Sequence, residues 1–362
     1  MLEDLSIVIF THNRQHYLKR VLSYYKPYDI KIIIVDSTKS KADQSMVRAH
    51  NIIYLHRPDE VIIKKLKQAV AKVQTEYMAF CADDDFAIPR ALSRCVEFLR
   101  ENTDYVTALG NFAFFKWENN TIRWKAAYHV RESIDNSSAH ERFIETIGKS
   151  MHFQLLYSVC RTGVMQKIYE DMPMHSNTVL HEHYVLALLS IYGKVKHLPI
   201  FYGAREEAAN AVAYELMKFI QMKDDVKYKS EYQDFIDTLV NAIEKVDRIS
   251  KEDAADYVMN GMDDLFKKEK RSSKVVFSGR FFDRIKMLFP RLLYVYRVIH
   301  YGKATADLVS GADRKEELFG EGFPYYNEET MELAKEIEQM VCRYPVEYKH
   351  KHAFKVLKRT RG

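Results

Sequence analysis

"EYMAFCADDDF", residues 76–86, decides how this chain is read. A short apolar run ends at Ala82, and Asp83, Asp84 and Asp85 follow with nothing between them. An apolar run of that length, closed by polar residues, reads as a buried strand. Three adjacent carboxylates repel one another, so they need a metal, basic side chains or water as partner. In an extended chain, side chains two apart point the same way. On that pattern Asp83 and Asp85 share one side and Asp84 takes the other. Two carboxylates so placed suit a hard divalent cation that also holds phosphate oxygens. The plainer alternative is a solvated acidic turn capping the helix that begins near Pro89.

The surroundings repeat the pattern. "LSIVIF" (5–10), "IKIIIVD" (30–36), "NIIYLH" (51–56) and "DYVTALGNFAFF" (104–115) also read as strands. "QHYLKRVLSYY" (15–25), "DEVIIKKLKQAVAKVQ" (59–74) and "IPRALSRCVEFLREN" (88–102) have helical spacing. Strands that alternate with helices and are apolar almost throughout predict an α/β fold, its mostly parallel sheet covered on both faces. Ligands then sit beyond the carboxyl ends of the strands. The polar clusters obey that rule: Thr11–Arg14, Asp36 and Asp83–Asp85. Further on, 119–130 is expected as an antiparallel edge, 151–173 as strand then helix, 181–193 as helix and 194–207 as a closing strand. After about Glu206 only helices are expected, at 208–222, 231–247, 251–268, 281–300 and 328–343. The division is therefore 1–205 and 206–362.

Composition narrows the class. The chain has 362 residues, 47% of them hydrophobic, which is enough for a real core. Cys81, Cys95, Cys160 and Cys342 stand far apart, so free thiols in a reducing compartment are expected. The N-terminus lacks the basic region of a signal peptide, and no apolar stretch is long enough to span a bilayer. A cytoplasmic location is expected. Net charge is +5, concentrated toward the C-terminus between Lys267 and Lys303 and again in the tail. The basic, aromatic-rich stretch 278–303 has two readings: a peripheral contact with an anionic membrane surface, or an apolar face packed on the first domain or on a second subunit. No nucleic-acid motif accompanies the charge.

The combination resembles the GT-A glycosyltransferases, in particular the family-2-like bacterial enzymes that build surface polysaccharides. "SIVIFTHNR" is similar to that family's first strand and loop, "IIIVDSTKS" to its second strand, and "EYMAFCADDDF" to its fourth strand and DxD-type motif. The resemblance spans about residues 5–205. It implies a Rossmann-like GT-A domain, a nucleotide-sugar donor (a UDP-sugar foremost), Mn²⁺ or Mg²⁺, a glycan or lipid-linked acceptor, and transfer with inversion. It places the base-binding aspartate at Asp36 and the metal at Asp83 and Asp85. Thr11, Asn13, Arg14 and Asp84 stand beside the nucleotide and diphosphate. It also implies a general base early in a later helix, where this chain has "HEHY". Glu182 is the first choice for that base. His183 competes, because it stands where the family usually has an aspartate and histidine takes protons near neutral pH.

The chain departs from the family pattern as well. "DSTKS" replaces a Gly-rich loop, and "KKLKQAVAKVQ" replaces an Arg-Asn pair, so Lys64, Lys65 or Lys67 is expected to face either diphosphate or solvent. His152, Gln154, Asn111 and Trp117 are weaker candidates for contact with the sugars. Two other readings compete. A nucleotidyltransferase making an activated sugar needs a Gly-rich loop that "FTHNR" lacks. A non-catalytic module of a synthase complex draws on the single acid in "HEH".

Overall fold

The computed structural model describes residues 2–118, 121–125, 132–150, 153–175, 177–207, 222–223, 225–267 and 328–346. Strands β1 (Leu5–Thr11), β2 (Lys31–Asp36), β3 (Ile52–His56) and β4 (Tyr77–Ala82) alternate with helices α1 (Gln15–Tyr25), α2 (Gln44–Val47) and α3 (Ile62–Val70). Then come β5 (Phe86–Ala87), α4 (Pro89–Glu101), β6 (Tyr105–Glu118), β7 (Thr121–Lys125), α5 (Ala139–Phe143), β8 (Val159–Arg161), α6 (Thr162–Asp171), α7 (Thr178–Tyr192) and β9 (Lys194–Glu206). The described part of the C-terminal region is helical: α8 (Lys229–Asp247), α9 (251–267) and α10 (Glu328–Arg343). The helices expected at 208–222 and 281–300, and the basic stretch with its membrane or subunit contact, lie almost wholly outside the described residues.

The strands form one sheet in the order β3-β2-β1-β4-β8-β6-β9-β5, with β7 paired to β6. Pairing is parallel from β3 through β4. β8 is antiparallel to both β4 and β6, so β6 runs in the same direction as β4, and β9 is parallel to β6. The carboxyl ends of β1, β2, β4, β6 and β9 therefore share one edge. Every residue of β4 is buried, as a strand covered on both faces must be. The short strand β5 turns back beside β9, pairing Phe86 with Ala204 and Ala87 with Gly203. That pairing draws the segment after β4 against the end of β9.

Helix α7 is apolar on all sides, and Tyr184 through Leu189 are fully buried. A helix of that kind belongs in the interior, and α5, α6, α8 and β9 surround it. Helix α10 packs on α1. It is held there by Arg90–Glu329 (3.0 Å) and by the Trp124 indole N–H donating to Glu338 (2.8 Å). Residues of α8, α9 and α10 share one continuous hydrophobic core with the sheet. No described helix is long and apolar enough to cross a membrane. All four cysteines are unpaired.

One buried ion pair ties α1 to the end of β9. Arg20 and Glu206 are paired with no side-chain exposure on either partner. Arg20 also donates to the Asp84 carbonyl (3.2 Å) and lies over the rings of Tyr17 and Phe86. Deleting one member of such a pair leaves a buried charge uncompensated. Arg20→Met is expected to lower unfolding free energy by about 3–5 kcal/mol, read from urea denaturation. Gly203 supplies a second check. A Cβ there would fall 2.7 Å from the Phe86 carbonyl oxygen and 2.9 Å from the Phe112 ring. Gly203→Ala should cost about 1–3 kcal/mol by overpacking, and an unchanged urea midpoint would contradict the β5–β9 pairing.

Candidate functional site

The three aspartates do not continue β4. The Asp85 N–H donates to the Ala82 carbonyl (3.2 Å), which bends the chain into a turn at Asp83–Asp84. The alternation expected of an extended chain is lost. Asp83 and Asp84 both face Arg14, and Asp85 turns to the other side. Asp83 Oδ2 accepts from the Thr11 hydroxyl (2.7 Å), with Oδ1 3.4 Å from Arg14 Nε. Asp84 is ion-paired with Arg14. Asp85 accepts from Arg205 Nε (3.0 Å) and from the Glu206 backbone N–H (3.2 Å). All three aspartates are buried, at 3%, 8% and 5% exposure, so the solvated turn is excluded. Nor do they cap α4, whose N-cap is Ile88 without a side-chain bond.

The charges are only partly balanced. Burial, with repulsion from Asp84, pushes the carboxyls of Asp83 and Asp85 up to about 7, although Arg14 and Arg205 oppose the shift. Burial pulls the Arg14 guanidinium down, but Asp84 and Asp83 outweigh it and hold the charge more firmly than usual. Carboxyls driven toward protonation beside two guanidiniums are short of positive charge, and their oxygens suit a hard cation. Among the described residues no group of three or more His, Cys, Asp and Glu could enclose a metal. A cation at Asp83 and Asp85 would need substrate phosphates to supply its remaining ligands.

Asp36 lies at the neighbouring strand end, fully buried. Its oxygens accept from the Thr38 N–H (2.8 Å) and the Tyr54 hydroxyl (2.8 Å). Each has a lone pair left for a further donor. Asn13 is in the left-handed region (φ 56°), and its N–H donates to the Thr38 hydroxyl (2.8 Å), joining the loops after β1 and β2. Its exposed amide meets His12 and none of the aspartates. Lys65 links the two acidic groups. It is buried, donates to the Thr11 carbonyl (3.0 Å) and the Ser37 hydroxyl (2.9 Å), and feels both Asp83 and Asp36. Burial lowers its ammonium to about 8, still mostly charged at neutral pH. Lys64 pairs with Glu60 (2.9 Å) on the solvated face, so of the lysines in this helix Lys65 reaches the site.

Glu182 lies inside α7, whose first turn is capped by Asn177 accepting from the Leu180 N–H (3.3 Å). Starting at Thr178, the helix carries Glu182 beyond its first turn, so the dipole alone does not explain this residue. Its carboxyl is half-buried and raised by burial, with Arg205 acting against the rise. Arg205 thus influences both Asp85 and Glu182, and its guanidinium lies over the Tyr157 ring at 4.6 Å. His183 is 1% exposed. His181 is equally buried and bonded to the Tyr169 hydroxyl (2.7 Å). Gln154, Asn111 and Trp117 are buried as well, and His152 lies outside the described residues.

Arg205 and Tyr157 were not among the sequence candidates. The one local signal for Arg205 is its place at the end of the closing strand. Tyr157 stands in a 3₁₀ turn (Phe153–Tyr157) where a strand was expected, and it has no signal of its own.

Comparison with known proteins bears on the first half of the chain. Residues 6–164 match the family model described as "Glycosyl transferase family 2". The match takes in Thr11, Arg14, Asp36 and Asp83–Asp85 and stops before Glu182 and Arg205. No curated protein matches the chain. Among solved structures, S. aureus TarS 1-349 is similar at 12% identity over 84% of this chain and 88% of that one, with a TM-score of 0.48. TarS 1-349 in complex with UDP-GlcNAc is similar at 12% identity over 75% of this chain and 91% of that one, with a TM-score of 0.42. Residues 6–164 are thus similar to a glycosyl transferase family 2 domain, and the enzyme class is that of a glycosyltransferase.

Proposed function

We propose that the chain moves a sugar from a nucleotide-sugar donor, a UDP-sugar, to a hydroxyl of a glycan or lipid-linked acceptor in surface polysaccharide synthesis, with inversion at the anomeric carbon. The observation that carries this reading is the buried Asp83–Asp85 turn. It shares an edge with Thr11, Arg14 and Asp36, and Arg205 connects it electrostatically to Glu182. Asp36 accepts from the base. Arg14 and Lys65 offset the diphosphate charge. Asp83 and Asp85 are the carboxylates that would hold Mg²⁺ or Mn²⁺, and a cation there would offset further charge on the leaving diphosphate. Glu182 removes the proton from the acceptor hydroxyl as its oxygen attacks the anomeric carbon opposite the leaving group. Residues 1–205 carry this chemistry, and residues 206–362 are a second region appended to it.

The raised carboxyl of Glu182 gives the base a pH signature. A base must be deprotonated, so the rate falls as pH drops through its pKa. The acid limb of kcat should lie above the ordinary glutamate range. Glu182→Gln should abolish transfer while leaving donor affinity nearly unchanged; wild-type turnover in this variant would reassign the base to His183. The cation has a readout that needs no turnover. A carboxyl near 7 is largely protonated at pH 6 and ionised at pH 8. With UDP bound, Mn²⁺ should therefore raise the melting temperature more at pH 8 than at pH 6, and Asp85→Asn should remove that increment. An increment independent of pH and of Asp85 would rule out this metal site.

A further inference from the structure

The free edge of the sheet at β3 carries a feature that the transfer reading does not use. A cleft of about 720 Å³ opens between α2, with the residues before it, and the end of β3. Lys41, Arg48, His56 and Arg57 line it together with Tyr54 and Gln44, and among the described residues no Asp or Glu does. The volume is that of a small-molecule site.

The lining is preorganised. Tyr54 accepts from the Ala42 N–H (2.9 Å) and donates to Asp36, so this phenol is a wall common to the cleft and the base-binding aspartate. His56 stacks on Tyr54 with ring centroids 6.3 Å apart, and its Nε2–H donates to the Thr38 carbonyl (2.8 Å). Arg57 is anchored by Gln68 through Nε and by the His56 carbonyl through Nη1 (2.9 Å). Among the described residues no carboxylate pairs with Lys41, Arg48 or Arg57. Three permanent cations without a counter-charge attract an anion. Guanidiniums held in place recognise phosphate oxygens by paired, charge-assisted hydrogen bonds.

We propose that this cleft, on the transferase reading above, is a phosphate-binding subsite beside the nucleotide site that holds a phosphate carried by the acceptor. The test uses the full chain and inorganic pyrophosphate, followed by isothermal titration calorimetry at low salt. Wild type should bind. Arg48→Glu, at an exposed position, and Arg57→Gln should each weaken binding about tenfold or more, with the melting temperature of the free protein unchanged. No binding by wild type, or equal affinity in wild type and both variants, overturns the proposal. Titrating pyrophosphate into UDP-saturated protein separates the sources. Binding retained there supports a subsite for a phosphate on the acceptor, and binding lost places pyrophosphate at the donor's own diphosphate position and overturns the proposal. A chain that binds pyrophosphate through Arg48 but takes no nucleotide sugar would keep this proposal and sink the donor reading.

Discussion

A guanidinium withdrawn from water organises this molecule. Arg20 is buried between Tyr17 and Phe86, paired with Glu206 and donating to the Asp84 carbonyl. A single side chain of α1 thereby joins the turn after β4 to the end of β9, two segments more than a hundred residues apart. In a low-dielectric interior neither charge can be left alone, and the penalty for separating them is large. That penalty holds the turn and the strand end in fixed relation. The site forms where they meet.

The same electrostatic logic extends outward from the pair. Asp83 and Asp84 face Arg14, Asp85 faces Arg205, and Lys65 stands between Asp83 and Asp36. Acids and bases alternate around the strand ends, yet burial still drives Asp83 and Asp85 toward protonation. Arg205 connects this cluster to Glu182, so the electrostatics of the donor side and of the candidate base are coupled through one guanidinium.

Much of the first hundred residues was legible in the sequence because local rules suffice there. β1, β2 and β4 are short apolar runs, and a strand buried on both faces has no other way to look. Their polar ends mark the ligand edge for the same reason. The division of labour among the aspartates was not legible. It assumed an extended chain, and the Asp85–Ala82 hydrogen bond replaces that with a turn. Arg205 was missed because its importance comes from the β5–β9 pairing, a contact across 117 residues of sequence that no spacing reveals. In the C-terminal region, the periodicity at 231–247 and 328–343 predicted α8 and α10 within two residues. Periodicity says nothing of where a helix docks, and α10 returns to pack on α1.

The stretch "EYMAFCADDDF" by itself determined a buried strand ending in three carboxylates at the edge where the parallel strands end. Hydrophobic periodicity and strand polarity are local properties, written residue by residue. The tertiary structure decided what those carboxylates face. Their partners are the basic side chains Arg14 and Arg205, drawn from the loop after β1 and the end of β9. A charge buried by folding must find its counter-charge wherever the fold brings one, and that choice depends on the whole sheet.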